Sequence, residues 1–400
     1  MTVPVEHLSR ATERLRAHPH DQGAWLELAA IHHALGNTDD AEGLFATIGE
    51  GARIGGQVAL AVACGRHLAE LGSVRGPELI DQVIETYATG GPHFSFTAPP
   101  APEEPPQVTP GGRSPLDEAR ALVTELGAWL TSRQVATVPP APLLSALGQP
   151  GARALVGVMT ARAVPAGTVI LDVGQPATAL YWIAHGSVVV ERDGAELGEL
   201  HSGAFFGEIA LLGGTRRTAR VTAREDAWIL EIPARAVETA AQKHPKLAEV
   251  LAHHARARLL ANLLRTSELF RALAEDDRDR LLAKFTTELV AAGATFITEG
   301  APNDHLWVVV SGRCEVRSAG ASLAELGPGA AVGEISLVSG QPAVASVVAV
   351  EPAVLLRLSR ADFDEVKQKH PELLAAVEEL VVARETANRA LFQDASDLIV

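Results

Sequence analysis

The segment Phe206-Gly207-Glu208-Ile209-Ala210-Leu211-Leu212-Gly213-Gly214-Thr215-Arg216-Arg217-Thr218-Ala219-Arg220-Val221 is present in two copies. The second lies 126 residues on, as Val332-Gly333-Glu334-Ile335-Ser336-Leu337 followed by Gln341-Pro342-Ala343-Val344-Ala345-Ser346-Val347. The copies align without a gap, and Arg217 falls on Ala343, so a cation in one is a methyl group in the other. The register extends in both directions. Leu143-Leu144 matches Leu269-Phe270, Ala166-Gly167 matches Ala292-Gly293, and Gly174, Gly186 and Gly203 match Gly300, Gly312 and Gly329. Gln242-Lys243-His244-Pro245 recurs as Gln368-Lys369-His370-Pro371. A duplication therefore occupies the chain from about Leu143 onward.

Within each copy the pattern is a short helix, many short strands and a closing helix. Val188-Val189-Val190-Glu191-Arg192 alternates ahead of Asp193-Gly194, a hairpin signal, and Val221-Thr222-Ala223 and Trp228-Ile229-Leu230-Glu231-Ile232 supply further strands. Glycines punctuate them at turn spacing. The expected unit is a small antiparallel barrel or jelly roll with flanking helices, and Leu247 to Thr266 reads as one long helix joining two such units.

Ahead of the duplication, residues 5–88 read as helical. Trp25, Leu28, Ala29, His32, Gly36, Ala41 and Phe45 follow helix spacing with a turn at Gly36-Asn37, which resembles the tetratricopeptide repeat. Trp25 and Leu28 would pack between two antiparallel helices, with Ala29 and Ala41 allowing close approach. A degenerate second copy follows, with Gly65 and Gly72 near small positions and Pro77 where Ala41 stood. The same spacing suits a general helical bundle; either form would serve protein contact. Pro92, Pro99, Pro100, Pro102, Pro105, Pro106 and Pro110 mark a linker, extended and semi-rigid. A helix is expected from Ser114, with Pro115 at its first position and Asp117 completing a capping pattern, to about Arg133. Val138-Pro139-Pro140-Ala141-Pro142 breaks the chain again. The expected divisions are thus 1–89, 90–113, 114–142, 143–266 and 267–400.

At 400 residues, 47% hydrophobic and 21% charged, the chain can bury several cores. Its net charge of −15 argues against nucleic acid as a partner, since phosphate backbones need a basic surface. Two cysteines, Cys64 and Cys314, far apart, fit neither a disulfide framework nor a zinc site and suggest a reducing cytoplasm. No signal peptide or membrane-spanning run is expected. His32-His33 and His253-His254 are adjacent pairs whose members point apart on a helix, so they read as helix surface rather than metal sites. No nucleophile motif, Walker loop or kinase signature is present, so no catalytic residue is assigned.

The duplicated segment does carry chemistry. Gly207-Glu208-Ile209-Ala210-Leu211-Leu212 reads as a short helix beginning after a glycine, and a helix N-terminus offers free N–H groups to an anion. Small residues at Gly207 and Ala210 permit close approach. Arg217, past the turn Gly213-Gly214, would close over a phosphate with paired hydrogen bonds. Glu208 would repel a phosphate but suits a sugar hydroxyl. Phosphate and ribose together point to a nucleotide.

Residues 206–223 resemble the phosphate-binding cassette of the cyclic nucleotide-binding domain family, F-G-E-[LIV]-A-L, a gap, then [P]-R-x-A-x-[VI]-x-A, with Arg216 in place of the frequent proline. Tyr181-Trp182-Ile183, Gly186, Val188 and Val190 fit the family's barrel strands. The resemblance implies an α+β chain: two tandem jelly-roll modules with flanking helices, preceded by an all-α domain. It further implies that Glu208 binds the ribose 2′-hydroxyl and Arg217 the cyclic phosphate. Backbone N–H groups of Ile209 and Ala210 would complete the cradle beside Gly207, and Thr218 would bias the choice between cyclic AMP and cyclic GMP. An alternative is that Glu208 and Arg217 merely pair inside a vestigial cassette. Trp182 or the 247–266 helix are the suggested caps for the purine. The second copy, with Val332 for Phe206 and Ala343 for Arg217, is expected not to bind cyclic nucleotide usefully.

The tandem arrangement resembles protein kinase A regulatory subunits, without a matching inhibitor segment. Residues 384–400 are too short for the helix-turn-helix of catabolite-activator regulators. The functional expectation is a non-enzymatic cytoplasmic receptor, with no cofactor, nucleic acid or membrane span. The first module would bind cyclic AMP or cyclic GMP and relay to an unidentified protein partner through the N-terminal helices and the second module. The competing expectation is a protein-interaction scaffold built on relic folds.

Overall fold

The computed structural model describes residues 5–90, 104–132, 141–266, 284–369 and 374–384, apart from Asp193 and Ala376. Five helices come first: α1 (Val5–Ala17), α2 (Gln22–Ala34), α3 (Thr38–Ile54), α4 (Val58–Glu70) and α5 (Arg75–Tyr87). Consecutive helices pack on each other through Trp25, Leu28, Ala29, Ala41 and Phe45, all buried as their spacing requires. The expected turn lies at Gly36, whose φ of 78° only glycine adopts at little cost. Gly65 and Gly76 let α4 and α5 touch, because a Cβ on Gly76 would lie 2.4 Å from the Ala69 nitrogen. Pro77 sits in the first turn of α5, where its missing N–H is harmless.

Residues 104–113 form no regular element, and Glu118 Oε1 accepts bonds from the Gly111 and Arg113 N–H groups. The expected helix is α6 (Pro115–Leu130), with Pro115 in its first turn and Ser114 Oγ accepting from the Asp117 N–H. It ends at Leu130, short of the expected Arg133, and packs on α1 and α3. Linker residues 91–103 and 133–140 and the C-terminal residues 385–400 lie outside the described residues.

The two copies of the duplication fold alike. The first has α7 (Pro142–Ser145), α8 (Gln149–Gly157) and eight strands: β1 (Thr160–Val164), β2 (Val169–Leu171), β3 (Ala179–His185), β4 (Ser187–Arg192), β5 (Ala195–His201), β6 (Phe205–Phe206), β7 (Arg220–Ala223) and β8 (Ala227–Pro233). The short helix α9 (Glu208–Gly213) interrupts the strands, and α10 (Ala234–Lys243) and α11 (Pro245–Thr266) follow. The second has β9 (Thr286–Val290), β10 (Thr295–Ile297), β11 (His305–Ser311), β12 (Cys314–Ser318), β13 (Ala321–Leu326), β14 (Ala331–Val332), α12 (Glu334–Ser339), β15 (Ser346–Ala349), β16 (Ala353–Ser359) and α13 (Arg360–Lys369). Each makes two four-stranded antiparallel sheets, ordered β1-β8-β3-β6 with β2-β7-β4-β5 and β9-β16-β11-β14 with β10-β15-β12-β13. The β4–β5 hairpin pairs Arg192 with Ala195 across the predicted turn.

Strand β3, Ala-Leu-Tyr-Trp-Ile-Ala-His, is buried on both faces, which is why it carries no polar alternation. Tyr181 and Ile183 point between the sheets with Val188, Phe206, Val221 and Ile229. Leu180, Trp182 and Ala184 point outward into a core shared with α2–α5, Leu247 and Leu251. The helical region and the first module are therefore one packed body. Arg66 Nε donates to the Met159 carbonyl at 2.7 Å across their junction, and His67 packs edge-on against Phe45 and Trp228. The outer face of the second module, Leu306, Val308, Leu356 and Leu358, is covered instead by Phe285, Phe363, Val366 and Val377. Ile209 of α9 packs against that same cluster.

Candidate functional site

The first cassette begins where β6 ends. Gly207 caps α9 at φ 88°, turning the chain so that a six-residue helix starts at Glu208. The first helical bond is from the Leu211 N–H to the Gly207 carbonyl, so the N–H groups of Glu208, Ile209 and Ala210 precede any intrahelical acceptor. Glu208 is 1% exposed and Ala210 is buried.

Arg217 comes from the loop between α9 and β7 and is 3% exposed. Its backbone is pinned on both sides: its N–H donates to the Gln175 carbonyl, and its carbonyl accepts from the Gly174 N–H, each at 2.9 Å. Its guanidinium then reaches under Gly207. Nη1 donates to the Gly207 carbonyl at 2.8 Å and Nη2 to the Ala179 carbonyl at 2.7 Å. A Cβ on Gly207 would sit 2.7 Å from Nη1, so the glycine is needed for space as well as for φ. The cation lies 5.7 Å from the Tyr181 ring, itself stacked on Phe206. Burial pulls the Arg217 pKa down from its ordinary value, yet a guanidinium keeps its proton.

The donor inventory is instructive. A guanidinium has about five N–H donors; here two go to carbonyls, and Nε has no hydrogen-bond partner among the described residues. Among the described residues the Arg217 guanidinium donates to these two carbonyls, and the charges of Glu208 and Glu231 act on it through space. A buried cation bonded only to neutral oxygens costs solvation free energy that an incoming anion would offset. Arg216, in place of the resembled motif's frequent proline, is exposed and donates to the Gly174 carbonyl at 2.8 Å. Thr218 is half-buried beside Arg217.

The second cassette repeats the backbone. Gly333 caps α12 at φ 90°, Glu334 is 1% exposed, and Ala343 is pinned by the same bonds, to Ala301 and from Gly300. With Ala343 too short to reach, another residue takes over the carbonyls. Asn303 Nδ2 donates to the His305 carbonyl at 2.8 Å and the Gly333 carbonyl at 3.2 Å. His305 and Gly333 are the repeat counterparts of Ala179 and Gly207, and Asn303 is that of Ala177. The arginine has thus been exchanged for an amide from the loop between β10 and β11. An amide has two N–H donors, and both are committed. Sequence reading missed Asn303; the signal was the Ala177/Asn303 mismatch in an otherwise glycine-matched repeat. Glu334 Oε1 accepts from Arg384 Nη1 at 2.7 Å, the arginine coming from helical residues 377–384.

Other expectations resolve as follows. Trp182 is not placed to cap a base: it faces the helical region and donates from Nε1 to the Gly203 carbonyl at 2.9 Å, because even-numbered residues of β3 point away from the sheet interior. His32 is buried rather than on a helix surface, with Nδ1 3.5 Å from Asp40, while His33 is exposed as expected. Cys64 and Cys314 are free and buried, and burial pushes the Cys314 thiol up to about 11. Among the described residues no cluster could hold a metal, and no helix is long and apolar enough to cross a membrane.

Residues 161–244 and 287–370 match the family model for the cyclic nucleotide-binding domain. The chain is 28% identical over 218 residues to the cGMP-dependent protein kinase egl-4 of Caenorhabditis elegans, covering 52% of this chain and 27% of that protein. It is 25% identical over 227 residues to a cAMP-dependent protein kinase regulatory subunit of Yarrowia lipolytica, covering 55% of this chain and 57% of that one. A solved structure of the regulatory domain of Toxoplasma gondii PKA with cAMP is 20% identical, covering 61% of this chain and 92% of that one at a TM-score of 0.29. The chain spans less than two thirds of the length of the curated relatives it matches. Two family matches on two like-folded sheet sandwiches, each with its glycine-capped cassette helix, identify this chain as one that carries two tandem cyclic nucleotide-binding domains.

Proposed function

We propose that the first module is a receptor for cyclic AMP or cyclic GMP and that the chain is a non-enzymatic cytoplasmic regulatory protein. The observation that carries this is Arg217: a buried guanidinium, oriented by two carbonyls, whose Nε has no hydrogen-bond partner among the described residues. In this reading its remaining N–H groups meet the cyclic phosphate together with the N–H groups of Ile209 and Ala210. Gly207 keeps the backbone low enough for that approach. Glu208 accepts from the ribose 2′-hydroxyl, and Thr218 contributes to the choice of base. Residues 143–266 are then the sensing module and 267–400 the relay.

The relay reading rests on α9. Ile209 lies on the cassette helix and packs against the outer core of the second module, while α9 also contacts α11. A ligand that binds more tightly to one position of α9 than another biases both contacts; without such a difference nothing would move. The helical region shares its core with the first module and is the proposed partner-facing surface, together with the second module.

Thermal melting with and without each nucleotide tests the reading, since a ligand that binds only the folded state raises the melting point. Cyclic AMP or cyclic GMP should raise it, and Arg217→Ala should remove the rise. No rise at saturating millimolar ligand, or one that survives Arg217→Ala, would overturn it.

A further inference from the structure

Helix α6 belongs to an excursion of the chain whose two ends are fastened together. The Thr89 N–H donates to the Leu147 carbonyl at 2.9 Å, Thr89 Oγ1 donates to the Ser145 carbonyl, and Ser145 Oγ donates to the Tyr87 carbonyl at 3.0 Å. Residues 90–140 therefore leave the body and return to it at one place. Prolines from Pro92 to Pro110 precede α6 and Pro139-Pro140 follow it, so its helix is continued on neither side.

Within this excursion α6 does not extend the row of helices beside α5, its neighbour in sequence. It packs on α1 and α3 instead. Ala119, Leu122 and Leu126 are buried there, and Leu130 lies over Gly51, where a Cβ would fall 2.5 Å from the Leu130 Cγ. Arg120 Nε and Nη2 donate to the Asp40 carboxylate at 2.9–3.1 Å, and Arg16 Nη2 donates to Glu118 at 3.2 Å. An apolar stripe in a groove, with one acid and one base fixing register, is the way a helical ligand is held.

The fit is incomplete on one side. A cleft of about 590 Å³ opens between α3 and α6, with Thr124, Gly127 and Ala128 on the α6 wall and His32, Gly43 and Thr47 facing them. Thr124 and Ala128 are exposed and small. His32 is 1% exposed, its Nδ1 stands 3.5 Å from Asp40, and its Nε2 has no hydrogen-bond partner among the described residues. A buried ring nitrogen left unpaired costs free energy that a polar side chain entering the cleft would recover.

We propose that the α1–α3 groove is a helix-docking surface, that α6 is its releasable occupant, and that the partner is an amphipathic helix of another protein with the acid, base and apolar pattern of α6 and larger polar side chains where α6 has Thr124 and Ala128. Such a helix fills the cleft, satisfies His32 and so outcompetes α6. Because the excursion stays fastened at Thr89, α6 can leave without parting α5 from α7. The inference rests on the reading of the helical region as partner-facing and not on nucleotide binding.

Fluorescence anisotropy of a labelled synthetic peptide of residues 113–132, added to the full chain without nucleotide, tests it. In the wild-type chain the tethered α6 competes at an effective concentration of about millimolar, so a Leu122→Asp chain should take up the peptide about tenfold more tightly or better. To that chain a peptide carrying Ala128→Gln should bind more tightly than the native one. A Cβ on Gly127 would lie 3.1 Å from Thr47 Cγ2, so Thr47→Cys with Gly127→Cys can lock α6 down. The oxidised lock should exclude the peptide, and reduction should restore wild-type uptake. If Leu122→Asp does not fold, Arg120→Asp, which sets two carboxylates together at an exposed site, takes its place. No uptake by a folded variant, uptake undiminished by the disulfide, or an Ala128→Gln peptide that binds no tighter would overturn the proposal. Failure of both variants to fold would overturn it too, by making α6 an integral part of the core. No nucleotide is present, so each outcome leaves the melting test of the first module untouched.

Discussion

In the first cassette a guanidinium lies across the carbonyls of Gly207 and Ala179; in the second an amide, Asn303, lies across those of Gly333 and His305. Both clamps do the same structural work, holding the left-handed glycine that starts the cassette helix. They differ in what is left over. The guanidinium retains unspent donors and a full positive charge, and the amide retains neither. The lesson is that the fold of the cassette and its affinity for phosphate are separable. The fold needs two hydrogen-bond donors beneath the glycine; phosphate needs a cation with donors to spare.

The largest expected effect in breaking this comparison is at Arg217. Arg217→Ala should lower cyclic nucleotide affinity by about 30-fold to several thousand-fold, the range for losing a desolvated charge-assisted contact of about 2–5 kcal/mol. It also removes the guanidinium donors from the Gly207 and Ala179 carbonyls, so it should lower the melting point of the unliganded chain. Arg217→Lys, which keeps the charge but not the forked geometry, should recover only part of the affinity. The reciprocal change comes next. Asn303→Ala with Ala343→Arg rebuilds the first module's clamp in the second, and should create a new cyclic nucleotide site visible by calorimetry in an Arg217→Ala background. Ala343→Arg alone should do less, since Asn303 would still occupy the carbonyls.

The glycines sharpen the comparison at a smaller scale. Both sit near φ 90°, so alanine is strained at either by about 1–3 kcal/mol. A Cβ on Gly333 would meet the His305 carbonyl oxygen at 2.5 Å, rigid backbone, whereas one on Gly207 would first meet the Arg217 side chain at 2.7 Å. Gly333→Ala should therefore cost more stability than Gly207→Ala, and Gly207→Ala should cost more nucleotide affinity by displacing the guanidinium. Chemical denaturation and calorimetry of the two variants check both halves.

The smallest effect expected is from pH, and it distinguishes the bodies rather than the cassettes. His32, His67 and His185 all have pKa values lowered chiefly by burial, and His67 and His185 lie where the helices meet the first module. A base with a lowered folded-state value binds fewer protons folded than unfolded. Stability is therefore intact above the ordinary histidine range near 6.5 and is lost as the pH falls below it. The melting point should drop by several degrees between about pH 7.5 and 5.5. A substitution of His67 by leucine should flatten that slope.

Much of this architecture is legible in the chain itself. The ungapped 126-residue register specifies two like modules, and Gly207, Gly333 and their neighbours specify where each cassette turns. The Ser114–Pro115 start of α6 and the Gly36 turn are local signals, and local signals read well. Three features are not legible, for a shared reason. Asn303 is forty residues from Ala343, and only the fold brings its amide to the carbonyls that the lost arginine had held. The orientation of Trp182 depends on which face of β3 turns inward, and a strand buried on both faces gives no alternation to read. The burial of His32 depends on α3 packing over α2, a contact set by packing rather than by helix period.

The most direct test of the central claim is stoichiometry. Calorimetric titration of the full chain with cyclic AMP and with cyclic GMP should give one cyclic nucleotide per chain for whichever binds, and none in Arg217→Ala. Two sites per chain would show that a cassette without its arginine still holds the phosphate, and would contradict the account, as would a single site that persists when Arg217 is removed.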